Sequence, residues 1–257
     1  MWKWCMAVFL VAMGAGSPLG QAGEAEVEAS ISVNGVRNAT IPRGWPVIIE
    51  GVYSVGSLKG LSSKLKVMDL AGKAVDVAFE KVGESPADAE GFITVRWVLP
   101  PEKSKTMGGE PVEVQIELAG EKDVAATSQA ATIKWTDAPA EVPDAEYAKY
   151  MELLVRYDAI RDKNDDAAAK IAQWRAKKPN DVSPVVMSGD LHLSAGRLAE
   201  AAKDYQAALK QWAASRPKGK MEEPPAELLE RQRAVMAAMA RKATKKVENS
   251  KDAQGGK

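Results

Sequence analysis

Apolar residues along this chain recur with two different periods, and the change falls near Pro139 to Pro143. Between Ile31 and Trp135 the period is two. Val112, Val114, Ile116 and Leu118 alternate with Glu113, Gln115 and Glu117, so the apolar set lines one face of a strand and the polar set the other. Ile93, Val95, Trp97 and Leu99 repeat the pattern, with Thr94 and Arg96 outward. Leu65-Lys66-Val67 leads through Asp69-Leu70-Ala71-Gly72-Lys73 into Val75-Asp76-Val77-Ala78-Phe79, the pattern of a hairpin whose Gly72 supplies a positive φ. Ile31-Ser32-Val33, Val47-Ile48-Ile49 and Ala131 to Trp135 bring the count to about seven short strands in roughly 110 residues, which predicts a two-layer β-sandwich.

From Asp144 onward the period is helical, and the chain repeats against itself at a spacing of 34 residues: Val155 aligns with Gly189, Ala167 with Ala201 and Ile171 with Tyr205. In the second copy, Gly189-Asp190, Gly196-Arg197, Glu200-Ala201 and Tyr205-Gln206-Ala207-Ala208-Leu209 resemble the tetratricopeptide repeat (TPR). Small residues at Gly189, Ala201 and Ala208 permit close helix contact, and Tyr205 and Leu209 fill the space between units. The first copy departs, with Val155 for the Gly and Trp174 for a small residue, but it ends on a cationic Trp174-Arg175-Ala176-Lys177-Lys178-Pro179. Two repeats are expected, Tyr147 to Asn180 and Asp181 to Ala214. A third helix, about Pro225 to Lys246, is expected to cap them, with Leu228, Leu229, Met236 and Met239 as its apolar stripe and Arg231, Arg233, Arg241 and Lys242 on the wet side. The closing Gln254-Gly255-Gly256-Lys257 reads as disordered.

The strand region is similar to bacterial immunoglobulin-like (Ig-like) modules in strand number, in its length and in Gly44-Trp45-Pro46-Val47 leading into a strand. It has no cysteine pair to bracket a core tryptophan, so fibronectin-like and macroglobulin-like sandwiches are equally allowed. The expected fold class is multidomain, an all-β Ig-like sandwich followed by an all-α TPR-like helical-hairpin solenoid. Its boundaries are a signal peptide over 1–22, the sandwich over 23–137, a linker over 138–146, the helical domain over 147–246 and a tail over 247–257.

The N-terminus carries the address. Met1-Trp2-Lys3 supplies a positive charge, and Trp4 to Ala15 is an uncharged, mostly apolar run, too short for the roughly 20 residues that span a bilayer. Gly16-Ser17-Pro18 breaks it, and Gly20-Gln21-Ala22 offers small residues to a signal peptidase, so cleavage is expected after Ala22; retention as an anchor is the alternative. Cys5, the chain's one cysteine, sits at the start of the run, away from where a lipid-modified cysteine stands. Cleavage would leave a mature chain without a thiol or a disulfide, exported to the periplasm or secreted, and without an integral membrane span.

Composition narrows the chemistry. Lys+Arg and Asp+Glu are equal at 35 each, so no basic field holds a nucleic acid. Residues 23–143 carry net −6 and residues 144–257 net +5, a division that allows the two halves to attract one another or the helical half to prefer an acidic partner. One His and one Cys leave little for a Ser-His-Asp triad, a multi-His zinc site or a Cys-His nucleophile. His192 falls where a residue packs between helices, so a structural role is expected. Asp162-Lys163-Asn164-Asp165-Asp166 opens like a calcium loop but has Ala167 where the loop needs Gly and Gln173 where it needs Glu. A turn with Asn164 or Asp165 capping the next helix is expected instead. Asn38-Ala39-Thr40 is a glycosylation triplet. No acid pair lies in a motif that predicts a raised pKa or a shared cleft, so neither catalytic residues, cofactor nor metal are expected, and the chain reads as non-enzymatic.

The resemblance to TPR proteins implies a concave helical surface, an exported scaffold that binds a protein or peptide. Its inner face would carry Lys149, Glu152, Arg156 and Ile160 from the first unit and Val186, Asp190, Leu193 and Ser194 from the second. The family's carboxylate clamp places Lys and Asn where this chain has Glu152 and Arg156, which disfavours a chaperone-tail receptor. The alternative is glycan or cell-surface polymer binding by the sandwich, with the helices as spacer. It requires Trp45 and Trp135 to form an exposed stacking pair, whereas Trp97 shares the parity of Ile93 and Val95 and belongs to the core.

Overall fold

A computed structural model describes residues 29–54, 62–85, 92–119, 124–216 and 223–254. The chain divides between Glu146 and Tyr147 into two compact units. The leader expected over 1–22 lies outside the described residues.

The strand unit runs β1 (Ala29–Val33), β2 (Asn38–Pro42), β3 (Val47–Ser54), β4 (Ser62–Asp69), β5 (Glu80–Glu84), β6 (Phe92–Leu99), α1 (Pro101–Ser104), β7 (Val112–Ala119), β8 (Val124–Thr127) and β9 (Ala131–Thr136). One sheet has the order β1-β3-β6-β5, the other β2-β9-β7-β4 with β8 also on β7. All pairings are antiparallel except β2 with β9, where Asn38 faces Thr132 and Pro42 faces Thr136. The strict alternation read in β7 is realised: Val112, Val114, Ile116 and Leu118 are all buried. Ile49, Tyr53, Val95 and Trp97 join them, and burying each such side chain contributes about 1.5–3 kcal/mol. Gly51 of β3 makes room for a side chain of the opposite sheet. A Cβ there would lie 1.8 Å from the Ile116 δ1 methyl on β7.

Helix α1 sits between β6 and β7 because Pro100-Pro101 starts a turn in which Ser104 has structural work to do. Its hydroxyl accepts from the Gly44 N–H at 3.0 Å and donates to the Trp45 carbonyl at 2.7 Å. Gly44, at φ +84°, turns the chain so that Trp45 enters the core.

The helical unit consists of α2 (Tyr147–Ala159), α3 (Asn164–Lys177), α4 (Ser183–Ser194), α5 (Leu198–Ala214) and α6 (Ala226–Gln254). Helices α2 and α3 pack together, as do α4 and α5; α3 also contacts α4, and α6 lies on α5. Trp174, fully buried, donates its indole N–H to Asp181 Oδ2 at 2.9 Å. The other oxygen of Asp181 accepts from the Ser183 N–H, so one carboxylate ties the end of α3 to the start of α4. Gly189 on α4 makes room for Tyr205 on α5: an added Cβ would stand 2.6 Å from its ring.

Several expectations are corrected. The chain is of mixed α and β structure, with two sheets and six helices among the described residues. The assignment to an all-β Ig-like sandwich followed by an all-α TPR-like solenoid does not stand. A helix interrupts the strand region, a parallel pair edges one sheet, and α6 runs for 29 residues to Gln254 where a cap ending near Lys246 was expected. The second arm of the expected hairpin, Val75 to Phe79, forms no strand, because its pairing with β4 ends at Val75. Strands β2, β5 and β8, only four or five residues long, were absent from the sequence reading. On α6, Met236 is exposed and Val235 takes its place in the core, while Arg231 turns inward. Helix α3 begins at Asn164 without a side-chain cap, so the capping role expected for Asn164 or Asp165 is not formed.

Candidate functional site

Helices α2, α4 and α6 bring together the largest share of the residues singled out in the sequence. On α2, Lys149 and Glu152 are exposed and Arg156 is half-buried, as is Ile160 in the turn just past the helix. Met151 and Val155 turn to the core on the other side of the helix, and Leu153, beside Lys149 around it, is buried as well. This division follows the helical period, which separates positions 149, 152 and 156 from 151 and 155. On α4, Val186 and Leu193 are half-buried and pack against the cluster of Val185, Ala201, Tyr205, Ala208, Leu228 and Val235. Ser194 turns its hydroxyl back to the Leu191 carbonyl at 2.8 Å.

Asp190 is the most constrained member. It is 9% exposed, and its Oδ1 accepts from the Tyr205 hydroxyl at 2.6 Å and lies 3.3 Å from Arg231 Nε. Its Oδ2 is buried and has no hydrogen-bond partner among the described residues. Burial pushes the Asp190 carboxyl above the usual carboxylate range, and the Glu152 charge adds to this; Arg231 and the Tyr205 hydroxyl pull the other way without cancelling it. The charge of Glu152 therefore reaches Asp190 across α2 and α4, which lie side by side. Arg231 was expected on the wet face of α6; the uncompensated carboxylate of Asp190 draws it in. A tyrosine at the core position Tyr205 was the available signal, because a buried phenol needs an acceptor nearby.

His192 on α4 is half-buried, with Nδ1 3.0 Å from Asp204 Oδ2 on α5. Neither atom is aligned for a hydrogen bond. Asp162, Asp165 and Asp166 are exposed, and no group of His, Cys, Asp or Glu able to hold a metal occurs among the described residues. The triplet at Asn38 lies in β2, where Asn38 Oδ1 accepts from the Thr132 N–H.

The strand unit holds a second polar cluster that the sequence did not reveal. Tyr53 on β3 donates its hydroxyl to Glu84 at the end of β5, and Lys81 Nζ lies 2.8 Å from both Glu84 Oε2 and Ser63 Oγ. Burial, with the neighbouring Glu84 charge, pushes the Tyr53 phenol far above its ordinary value. Burial also opposes ionisation of Glu84, but hydrogen bonds from Lys81 and Tyr53 outweigh it and hold the carboxyl below its ordinary range. Trp45, Trp97 and Trp135 are 4%, 4% and 7% exposed, so the tryptophan pair required for glycan stacking is not on the surface.

No protein-family profile and no curated protein matches the chain. Among solved structures, the chain is similar to a family 123 glycoside hydrolase from Clostridium perfringens, studied for glycolipid glycan hydrolysis, at 7% identity with a TM-score of 0.30. The match covers 58% of this chain and 36% of the hydrolase, about a third of its length. Two corrections follow. The TPR and Ig-like assignments find no support among known proteins, and the labels of repeat and scaffold drawn from them are withdrawn. The expectation of a non-enzymatic chain is withdrawn as well; a likeness as slight as that to the hydrolase carries no argument for or against an activity. No described helix is long and apolar enough to cross a membrane.

Proposed function

We propose that the helical unit binds a protein or peptide segment on the face shared by α2 and α4, in a protein exported from the cytoplasm. The observation that carries the reading is the convergence of Glu152 with Asp190 and Arg231. Glu152, exposed on α2 beside Lys149, acts electrostatically on Asp190, which α4 buries against Arg231 of α6. Exposed charges on a rigid helical support suit recognition of a polar or charged segment, because the helix core fixes their positions before the partner arrives. Export rests on the apolar run Trp4 to Ala15 and the small residues at Gly20 and Ala22.

The test is capture from native extract by the full-length chain against a variant carrying Lys149→Ala, Glu152→Ala and Arg156→Ala together. Loss of a protein held by the parent chain, with an unchanged melting temperature, is expected. Retention of the same captured proteins by the variant would place binding elsewhere. The address is read separately: the native protein should begin at or near Gly23 by mass spectrometry, and an intact Met1 would contradict it.

A further inference from the structure

Between β1 and β2 the strand unit passes from one sheet to the other through a tight turn at Asn34-Gly35. Val33 and Val36 exchange both backbone hydrogen bonds across it, at 2.7 and 3.0 Å, and the two central residues take φ +49° and +82°. Asn followed by Gly is the favoured pair for such a turn, because both tolerate positive φ. The Asn34 side chain has a second role. Its backbone N–H donates to the Ile48 carbonyl at 2.8 Å, one residue past the last β1–β3 pair, Val33 with Ile49. The return bond comes from the side chain: Oδ1 accepts from the Ile48 N–H at 2.8 Å, and Nδ2 donates to the Pro46 carbonyl at 3.3 Å. Both polar atoms of the carboxamide are thus clamped to the chain entering β3.

The same pair is chemically reactive. A glycine nitrogen, with no Cβ beside it, can close on the carboxamide of the residue before it. Gly35 is exposed, a Cβ built on it would meet nothing within 4 Å, and its N–H has no hydrogen-bond partner among the described residues. Of the chain's five asparagines, only Asn34 precedes a glycine. Attacking group and target therefore adjoin, and what stands between them is the clamp on the carboxamide.

We propose that Asn34 is a self-modifying site, converted to aspartate and isoaspartate with loss of ammonia when the strand unit opens, and held unreacted in the folded chain by its bonds to Ile48 and Pro46. The Gly35 nitrogen attacks Asn34 Cγ, the Cγ–Nδ2 bond breaks, and ammonia leaves with the proton of the Gly35 amide, closing a cyclic imide. Water then opens the ring, giving aspartate by addition at Cγ and isoaspartate by addition at the backbone carbonyl. In the folded chain the leaving Nδ2 is engaged by Pro46 and the carboxamide plane is fixed by Ile48, so closure must first break both bonds. Opening of the unit removes both at once. Neither product rebuilds the turn. Aspartate keeps the acceptor for the Ile48 N–H but sets its second oxygen against the Pro46 carbonyl, acceptor against acceptor. Isoaspartate lengthens the backbone between Val33 and Val36, which can then no longer exchange both bonds. The change is one-way, so a chain whose strand unit has stayed open is marked permanently.

The experiment follows the full-length chain by peptide mass spectrometry in mildly alkaline buffer across a urea series. In full denaturant Asn34 should be the first asparagine to convert, at least about tenfold faster than in native buffer, and at intermediate urea its rate should rise in step with the unfolded fraction read from the strand signal in circular dichroism. Gly35→Ala, whose Cβ hinders the attacking nitrogen, should slow conversion about tenfold in full denaturant, where its effect on folding plays no part. Asn34→Asp stands for the first product and should melt at a lower temperature than the parent chain. Equal rates in native buffer and in denaturant, earlier conversion of Asn38, Asn164, Asn180 or Asn249, an unchanged rate in Gly35→Ala, or a parental melting temperature in Asn34→Asp would each overturn the proposal.

Discussion

In the strand unit Glu84 meets Tyr53 and Lys81; in the helical unit Asp190 meets Tyr205 and Arg231. The parts are the same, a carboxylate, a phenol and a cation, but the proton is biased in opposite directions. Glu84 lies near the edge of its sheet with its side chain 29% exposed and an ammonium 2.8 Å away, so the cation prevails and the carboxyl is held down. Asp190 is nine-tenths buried, Arg231 Nε stands off at 3.3 Å, and one carboxylate oxygen has no partner among the described residues, so burial prevails and the carboxyl is held up. A shared inventory of residues does not fix protonation; depth and the closeness of the cation do.

The largest expected effect tests how far each unit depends on its own core. Trp174→Ala should destabilise the helical unit by about 3–5 kcal/mol, since it empties a fully buried site and frees Asp181 from its indole donor. Helical circular dichroism should be lost at lower denaturant than the strand signal. Simultaneous loss of both would show that the two units unfold as one.

Next come the two glycines that let neighbours approach. Gly189→Ala should cost about 1–3 kcal/mol, because the new methyl meets a tyrosine ring held by Asp190. Gly51→Ala meets chiefly the δ1 methyl at the end of the Ile116 side chain, with a Val95 methyl at 3.1 Å and the Ile116 γ1 carbon at 3.2 Å, and should cost less. Thermal melts of both variants decide the order, and a larger loss at Gly51 would mean the sheets yield less than the helices.

The acid response separates the polar clusters. The Glu84 carboxyl is lowered on folding, so its contribution is present above the unfolded value of about 4.3 and is lost as pH falls through its folded value. The Asp190 carboxyl is raised, so its contribution is full below the unfolded value of about 3.9 and is lost as pH rises through its folded value. Glu84→Gln should therefore flatten the acid loss of the strand unit. Asp190→Asn should remove a gain that the helical unit makes on mild acidification. Denaturation followed by circular dichroism from pH 7 to 3 reads both, and parallel profiles in the two variants would contradict the opposed bias. The smallest effect belongs to the exposed face of α2, where Lys149→Ala and Glu152→Ala should each change stability by no more than about 0.5 kcal/mol by thermal melt.

The residue pattern was legible wherever burial is one-sided and continuous. The alternation in β7 and β6 and the periodic faces of α2 and α5 could be read directly, because a half-buried element must repeat its apolar positions at its own period. Trp97 was placed in the core by parity alone. Strands such as Glu80–Glu84 escaped notice because an edge strand is covered on little of its length and needs no such pattern. Of the candidate surface, which the TPR resemblance implied, Lys149 and Glu152 are exposed, whereas Asp190 and Leu193, taken as open positions on the same grounds, are packed by neighbours.

By itself the sequence determined where the chain changes from strand to helix, which faces turn inward, and that Gly72 would take a positive φ in its turn. These follow from backbone geometry and local periodicity, which act over a few residues. Tertiary structure alone decided that Arg231 would turn inward to Asp190, that Tyr53 would find Glu84, and that Val75 to Phe79 would leave β4 and open a groove. Each depends on the meeting of residues far apart in the chain, where burial and charge set the outcome through distances that no local pattern encodes.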